Sequence, residues 1–177
     1  PTRPRKSVRR FSAKYLSQTR RGLWDDREPL APVLSGSPDR ILDVGAGTGE
    51  FTAVLREETN ATVVAVDADR SLLRSGAVPN AVQGGATKLP FTDDSFDLVA
   101  CQALLVNLPD PGAALEEFTR VASDSVAVVE PDNGAVTVES TVEAEPTLSK
   151  RARTYYEAGL ETDASLGGNL QAHLQSA

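Results

Sequence analysis

From residue 40 to residue 129, short apolar runs alternate with longer amphipathic stretches, and turn residues separate them. The runs predict strands over 40–44, 62–66, 81–83, 96–102 and 125–129. The run 62–66, Thr-Val-Val-Ala-Val, is β-branched and almost wholly apolar, as a strand buried on both faces should be. Helices are predicted over 49–58, 69–75 and 111–122, the last with Leu115, Phe118 and Val121 on one face. Upstream, a helix is predicted from Arg9 to Trp24. Phe11, Tyr15, Thr19 and Leu23 fall on its packing face, with Leu16 beside them. A short helix or turn over 27–34 and the loop Ser35-Gly36-Ser37-Pro38 complete the N-terminal part. Downstream, 136–138 suits a short strand, and 147–160 and 168–176 read as helices. Strands alternating with helices at this rhythm imply a parallel sheet covered on both faces. Ligand then sits at the carboxyl ends of strands one, two and four.

Composition changes this picture in three ways. At 177 residues and 40% hydrophobic, the chain suits one domain with a real core, and no apolar run approaches a membrane span. A single Cys101 and a single His173 exclude an internal disulfide and argue against a structural zinc site. No apolar stretch follows the basic start, so a secretory signal is not expected and a cytoplasmic location is. The net charge of −7 is uneven: residues 1–27 hold nine of the eighteen basic residues, so the remainder is strongly acidic. An acidic body disfavours nucleic acid as a partner, and the basic arm reads as a solvated tail over 1–8 ahead of the first helix.

The chemistry begins at Ile41-Leu42-Asp43-Val44-Gly45-Ala46-Gly47-Thr48-Gly49. A strand runs into Asp43, three alternate glycines follow, and a helix opens at Glu50. Glycines at this spacing allow a sharp turn and a ligand pressed against bare backbone. Asp67 ends strand two, placed to accept both hydroxyls of an adenosine ribose, while Asp69 is the better helix cap. The dinucleotide fingerprint needs a glycine where this chain has Glu50. A carboxylate in the first helical turn repels a pyrophosphate but tolerates a ligand carrying an amine and a sulfonium. S-adenosylmethionine is therefore favoured over a dinucleotide.

Further motifs follow in order: Val64-Ala65-Val66-Asp67, Gly84-Gly85-Ala86-Thr87-Lys88-Leu89-Pro90-Phe91, Ser95-Phe96-Asp97-Leu98-Val99 and Leu108-Pro109-Asp110-Pro111. With the glycine run they make residues 38–131 resemble class I S-adenosylmethionine-dependent methyltransferases, of the small-molecule group similar to ubiquinone and menaquinone biosynthesis enzymes. The resemblance implies an α/β, Rossmann-like three-layer sandwich with a mostly parallel sheet in the order 3-2-1-4-5. It implies a basic arm with lid helices over 1–37 and a cofactor-binding domain over 38–177. It implies that the loop Gly45, Ala46, Gly47, Thr48, Gly49 holds the methionine part, with Asp43 ordering the loop or reaching the amino group through water. Asp67 would hold the ribose, Ala68 would lie against adenine, and Ala86, between Gly85 and Thr87, would offer its N–H to the ring. Cys101 and Gln102 would lie beneath the methionine part. The reaction implied is direct in-line methyl transfer to a small-molecule acceptor.

The chain departs from the family in three places. Many relatives carry Asp where this chain has Gly85, so the usual carboxylate contact with the adenine amino group is missing. Many carry a His where this chain reads Leu104-Leu105-Val106-Asn107, and Asn107 cannot act as a base. Only 48 residues follow Val129, so closing strands 6 and 7 are expected to be absent, leaving strand five as an edge that a second copy could cover. Tyr15, Trp24, Asn107 and Glu130 are the candidate acceptor-site residues; no catalytic base and no metal are assigned. Cys101 reads as a buried thiol and His173 as a surface residue. The competing readings are an RNA or protein methyltransferase using the basic arm, and a non-catalytic cofactor-binding protein.

Overall fold

The computed structural model describes residues 11–20, 22–132 and 166–168. The basic arm before Phe11, the segment 136–138, the helix predicted over 147–160, most of that over 168–176, and His173 lie outside the described residues.

Among the described residues five strands form one all-parallel sheet in the order β3-β2-β1-β4-β5. They are β1 (Arg40–Val44), β2 (Thr62–Asp67), β3 (Ala81–Gln83), β4 (Phe96–Gln102) and β5 (Ala122–Val129). Helices α1 (Ala13–Thr19) and α2 (Ala31–Leu34) precede the sheet. Helices α3 (Glu50–Glu58), α4 (Arg70–Ser75) and α5 (Pro111–Val121) connect its strands, and a 3-10 turn, Leu105–Asn107, follows β4. Among the described residues no helix is long and apolar enough to cross a membrane.

Side-chain alternation along β1 sorts the layers. Ile41 faces a core with Phe51 and Leu55 of α3 and with Val63, Leu98 and Ala100. Leu42 and Val44 face the other way, toward Leu115, Phe118 and Val121 of α5. Asp43, one residue from each neighbour, therefore points to the α3 side, where Thr52 meets it. The N-terminal segment joins the α3 layer: Leu30 is buried there and Trp24 stacks on Phe51 at 5.1 Å. Leu166, beyond the last strand, is buried in the α5 layer.

Two predicted elements differ from the structure. The first helix is shorter than 9–24: α1 ends at Thr19, and Gly22 then takes φ +73°, which stops helical continuation. Its buried residue is Leu16, while Tyr15 is 46% exposed, stacked at 5.5 Å on Phe11. The packing face is thus one residue round from the predicted one. Strand β5 starts three residues earlier than predicted, because Ala122 pairs with Phe96 ahead of a register shift. The polar residues Ser123, Asp124 and Ser125 hid that start. At the described edge of the sheet, β5 remains half-buried.

Candidate cofactor and active site

The carboxyl ends of β1, β2 and β4 open into a cavity of about 730 Å³. Its floor is the glycine loop. Gly45 and Gly47 take φ +73° and +57°, a left-handed backbone that disfavours other residues. A Cβ on Gly45 would lie 2.7 Å from Leu104, and one on Gly47 would lie 2.9 Å from Leu16. The amides of Gly45 and Ala46 both donate to the Val66 carbonyl, at 2.8 and 3.1 Å, fastening the loop to the end of β2.

Asp67 is wired into the same loop. Its Oδ2 accepts the Gly47 amide at 2.8 Å and its Oδ1 accepts the Asp69 amide at 2.7 Å. Burial raises its pKa, against these two hydrogen bonds that lower it. Each oxygen keeps a further acceptor site, so a ribose diol could still bond. Asp69 caps α4 by accepting from the Ser71 amide at 2.9 Å.

Asp43 lies beneath the floor, 1% exposed, and accepts the Thr52 hydroxyl at 2.5 Å. Burial raises its pKa to about 7; the Thr52 bond and the charge of Arg20 pull it down less strongly. A carboxyl poised at that value responds to any ammonium brought near it.

The other sequence candidates divide by position. Gly45, Ala46, Gly47, Asp67, Ala68, Gly85, Ala86, Thr87, Gln102 and Asn107 line the cavity with Asp43. Thr48 instead bonds both oxygens of Glu50, at 2.6 and 2.7 Å, and Gly49 caps α3. Cys101 is buried behind the wall, its thiol pKa pushed well up by burial, so it is not a nucleophile. Tyr15 does not line the cavity; Leu16 of its helix does, with Phe11 before the helix and Arg20 at its end. Trp24 stands one layer back, donating its indole N–H to Gln102 Oε1 at 3.3 Å. Glu130 is also displaced from the expected role. Its carboxylate accepts the amides of Leu104, Leu105 and Val106, at 2.7, 2.8 and 3.2 Å, and so caps the 3-10 turn that carries the wall.

Sequence reasoning missed three supports. The Cβ of an alanine at Gly76 would fall 2.0 Å from the Thr48 carbonyl oxygen, so α4 packs backbone to backbone on the glycine loop. Glu117 and Arg120, an i,i+3 pair on α5, grip the loop that carries Gly85 to Thr87. Glu117 accepts the Leu89 amide at 2.7 Å, and Arg120 donates to the carbonyls of Leu89 and Phe91 and to Asp93. The Arg120 guanidinium bonded to Glu117, and after it the Leu89 amide, hold the Glu117 pKa down to about 2. The pair's spacing was legible, but its target loop, 31 residues away, was not. In the sequence Arg20 is one charge among those of the basic arm; in the structure it lines the cavity.

These residues fit S-adenosylmethionine. The cradle admits a ligand against bare backbone, Asp67 keeps free acceptor sites at the cavity, and no heavy atom lies within 4 Å of a Cβ at Gly85, so the cavity is open beside that loop. Gln102 offers a second sign. Trp24 has only a donor, so Gln102 must turn Oε1 toward it, and its buried Nε2 then has no partner among the described residues. A ligand oxygen would satisfy it.

Comparison with known proteins agrees. The "Methyltransferase domain" family matches residues 42–129. Over 98 residues the chain is 43% identical to a demethylmenaquinone methyltransferase of Mycobacterium sp. (strain KMS), covering 54% of this chain and 42% of that protein. The chain thus spans less than half the length of the curated relatives it matches. A solved protein from Bacillus halodurans shares the fold at 21% identity and TM-score 0.62, over 86% of this chain and 68% of that one. So does an S-adenosylmethionine-dependent methyltransferase from Methanosarcina mazei, at 21% identity and TM-score 0.55, over 70% and 64%. Sheet order, cradle and family match lead to one conclusion: residues 42–129 form a class I S-adenosylmethionine-dependent methyltransferase domain.

Proposed function

We propose that the protein transfers a methyl group to a small-molecule acceptor of the kind its mycobacterial relatives are named for, a quinone-like ring. One observation supports this above others. The cavity that holds the cradle also carries an apolar wall, Leu16, Leu104 and Leu108, beside the strand-four end. Its volume lies in the upper part of the range for small-molecule pockets, roughly 300–1,000 Å³. S-adenosylmethionine supplies, when bound, a methyl group already activated on a sulfonium, suited to direct in-line displacement.

The chain's own work is then positioning and exclusion of water. The glycine loop and Asp67 hold the donor side, and Leu16 covers Gly47 from above. Asn107 donates to the Ala103 carbonyl at 2.9 Å and shapes the wall without acting as a base. An acceptor that binds already ionised needs no proton removed.

The test is calorimetry with S-adenosylmethionine, followed by a labelled-methyl screen over a metabolite extract, with Asp67→Ala as control. Binding and transfer to a small molecule are expected. Binding without transfer would favour a non-catalytic cofactor-binding protein. Label appearing in RNA or protein instead would overturn the small-molecule reading.

A further inference from the structure

Five carboxylates and two guanidiniums line the cavity among the described residues. The guanidiniums stand at opposite ends. Arg70 opens α4, three residues after Asp67, and belongs to the ribose side. Arg20 closes α1, and its charge acts on Asp43, in β1, and on Glu130, which follows β5. Arg20 is half-buried, and its guanidinium makes no ion pair with another described residue. It therefore brings an unspent positive charge to the end of the cavity where acids otherwise dominate.

A methionyl group laid on the glycine loop carries an ammonium and a carboxylate at that same end. The ammonium suits Asp43 and the surrounding acidic field. The carboxylate is repelled by them and needs a cation. We infer that Arg20 binds the α-carboxylate of the cofactor's methionyl end, an inference that rests on the S-adenosylmethionine reading above. A guanidinium presents a planar fork that matches a carboxylate. The bond does more than add affinity. Arg20 lies four residues after Leu16, one helical turn on, and Leu16 packs over Gly47. Binding the carboxylate thus clamps α1 across the loop, and the protein discriminates against nucleosides that lack the carboxylate.

The probe is decarboxylated S-adenosylmethionine, which keeps the nucleoside, sulfonium and amine and lacks only the carboxylate. Calorimetry compares it with S-adenosylmethionine on wild type, Arg20→Gln and Arg20→Lys, each checked for an unchanged thermal melt. Wild type should prefer S-adenosylmethionine by roughly 10- to 100-fold. Arg20→Gln should lose that preference by weakening S-adenosylmethionine while leaving the decarboxylated compound unchanged. Arg20→Lys should restore part of it. Equal weakening of both ligands, or no weakening of either, overturns the assignment. So does a rise in acceptor KM with cofactor affinity unchanged, which would move Arg20 to the acceptor. If wild type binds neither ligand, the cofactor reading itself fails, and that failure is visible before any variant is made.

Discussion

Replacing Gly85 by Asp should tighten cofactor binding. The position lines the cavity beside Ala86, its backbone lies outside the left-handed region, and a Cβ there would meet no heavy atom within 4 Å. An aspartate can enter without strain or overpacking. A hydrogen bond from the adenine amino group to a carboxylate contributes about 1.5–3 kcal/mol. Ordering the new side chain costs on the order of 0.5–1 kcal/mol, and repulsion from the acids already lining the cavity, screened at that distance, costs a few tenths more. The net is about 1–2 kcal/mol, a fall in Kd of roughly 5- to 30-fold. Losing glycine also narrows the unfolded ensemble, adding about 0.4–1 kcal/mol of fold stability. Gly85→Ala separates the two effects, because it should gain the stability without the affinity. Calorimetry with S-adenosylhomocysteine reads the affinity, and an analogue with oxygen in place of the adenine amino group should show no gain. A well-folded Gly85→Asp protein with unchanged or weaker affinity for S-adenosylhomocysteine would refute the placement of adenine at this loop.

Three further outcomes are expected. Asp67→Ala should raise the cofactor Kd at least 10-fold by fluorescence or calorimetric titration, since it removes the acceptor proposed for the ribose and frees the Gly47 amide together. Gly76→Ala should lower the melting temperature by several degrees, reflecting about 1–3 kcal/mol of overpacking against the Thr48 carbonyl; an unchanged melt would mean the contact relaxes freely. Asp43 has a folded pKa raised to about 7, so the folded state binds the extra proton, and its contribution to stability is greatest at low pH and declines between about pH 4 and 7. Asp43→Asn should therefore raise the melting temperature more at pH 8 than at pH 5. Cofactor affinity in wild type should climb up to about tenfold from pH 6 to pH 8, as the carboxylate ionises, and stay flat in the variant.

The centre of this fold was legible because parallel strands buried on both faces declare themselves. Strands β1 to β4 fall close to where the apolar runs place them, and Asp67 ends β2 in front of the turn that Asp69 caps. Legibility fell where one residue serves a distant partner. Glu130 looked like a free carboxylate facing the acceptor because nothing nearby in sequence accounts for it. Its three partners lie 24 to 26 residues back, in a 3-10 turn with no periodic signature. The sequence pattern puts Tyr15 on the packing face with Leu16 beside it, whereas Leu16 is the buried one, because a helix of seven residues is too short for periodicity to fix its face. Gly22 was the available stop signal for that helix.

Arg120 binds the loop 89–93 through two carbonyls and one carboxylate, and Glu117 adds the Leu89 amide. The cavity wall that Gly85 to Thr87 supply is thereby an appendage of α5 rather than of the strands it follows. It should open and close as one cooperative unit with that helix. Amide protons of this loop would then exchange with solvent at the pace of α5 and not at that of an ordinary surface connection. The wall against which a ligand docks would be kept in shape by a helix on the far side of the sheet from the glycine loop's own helix.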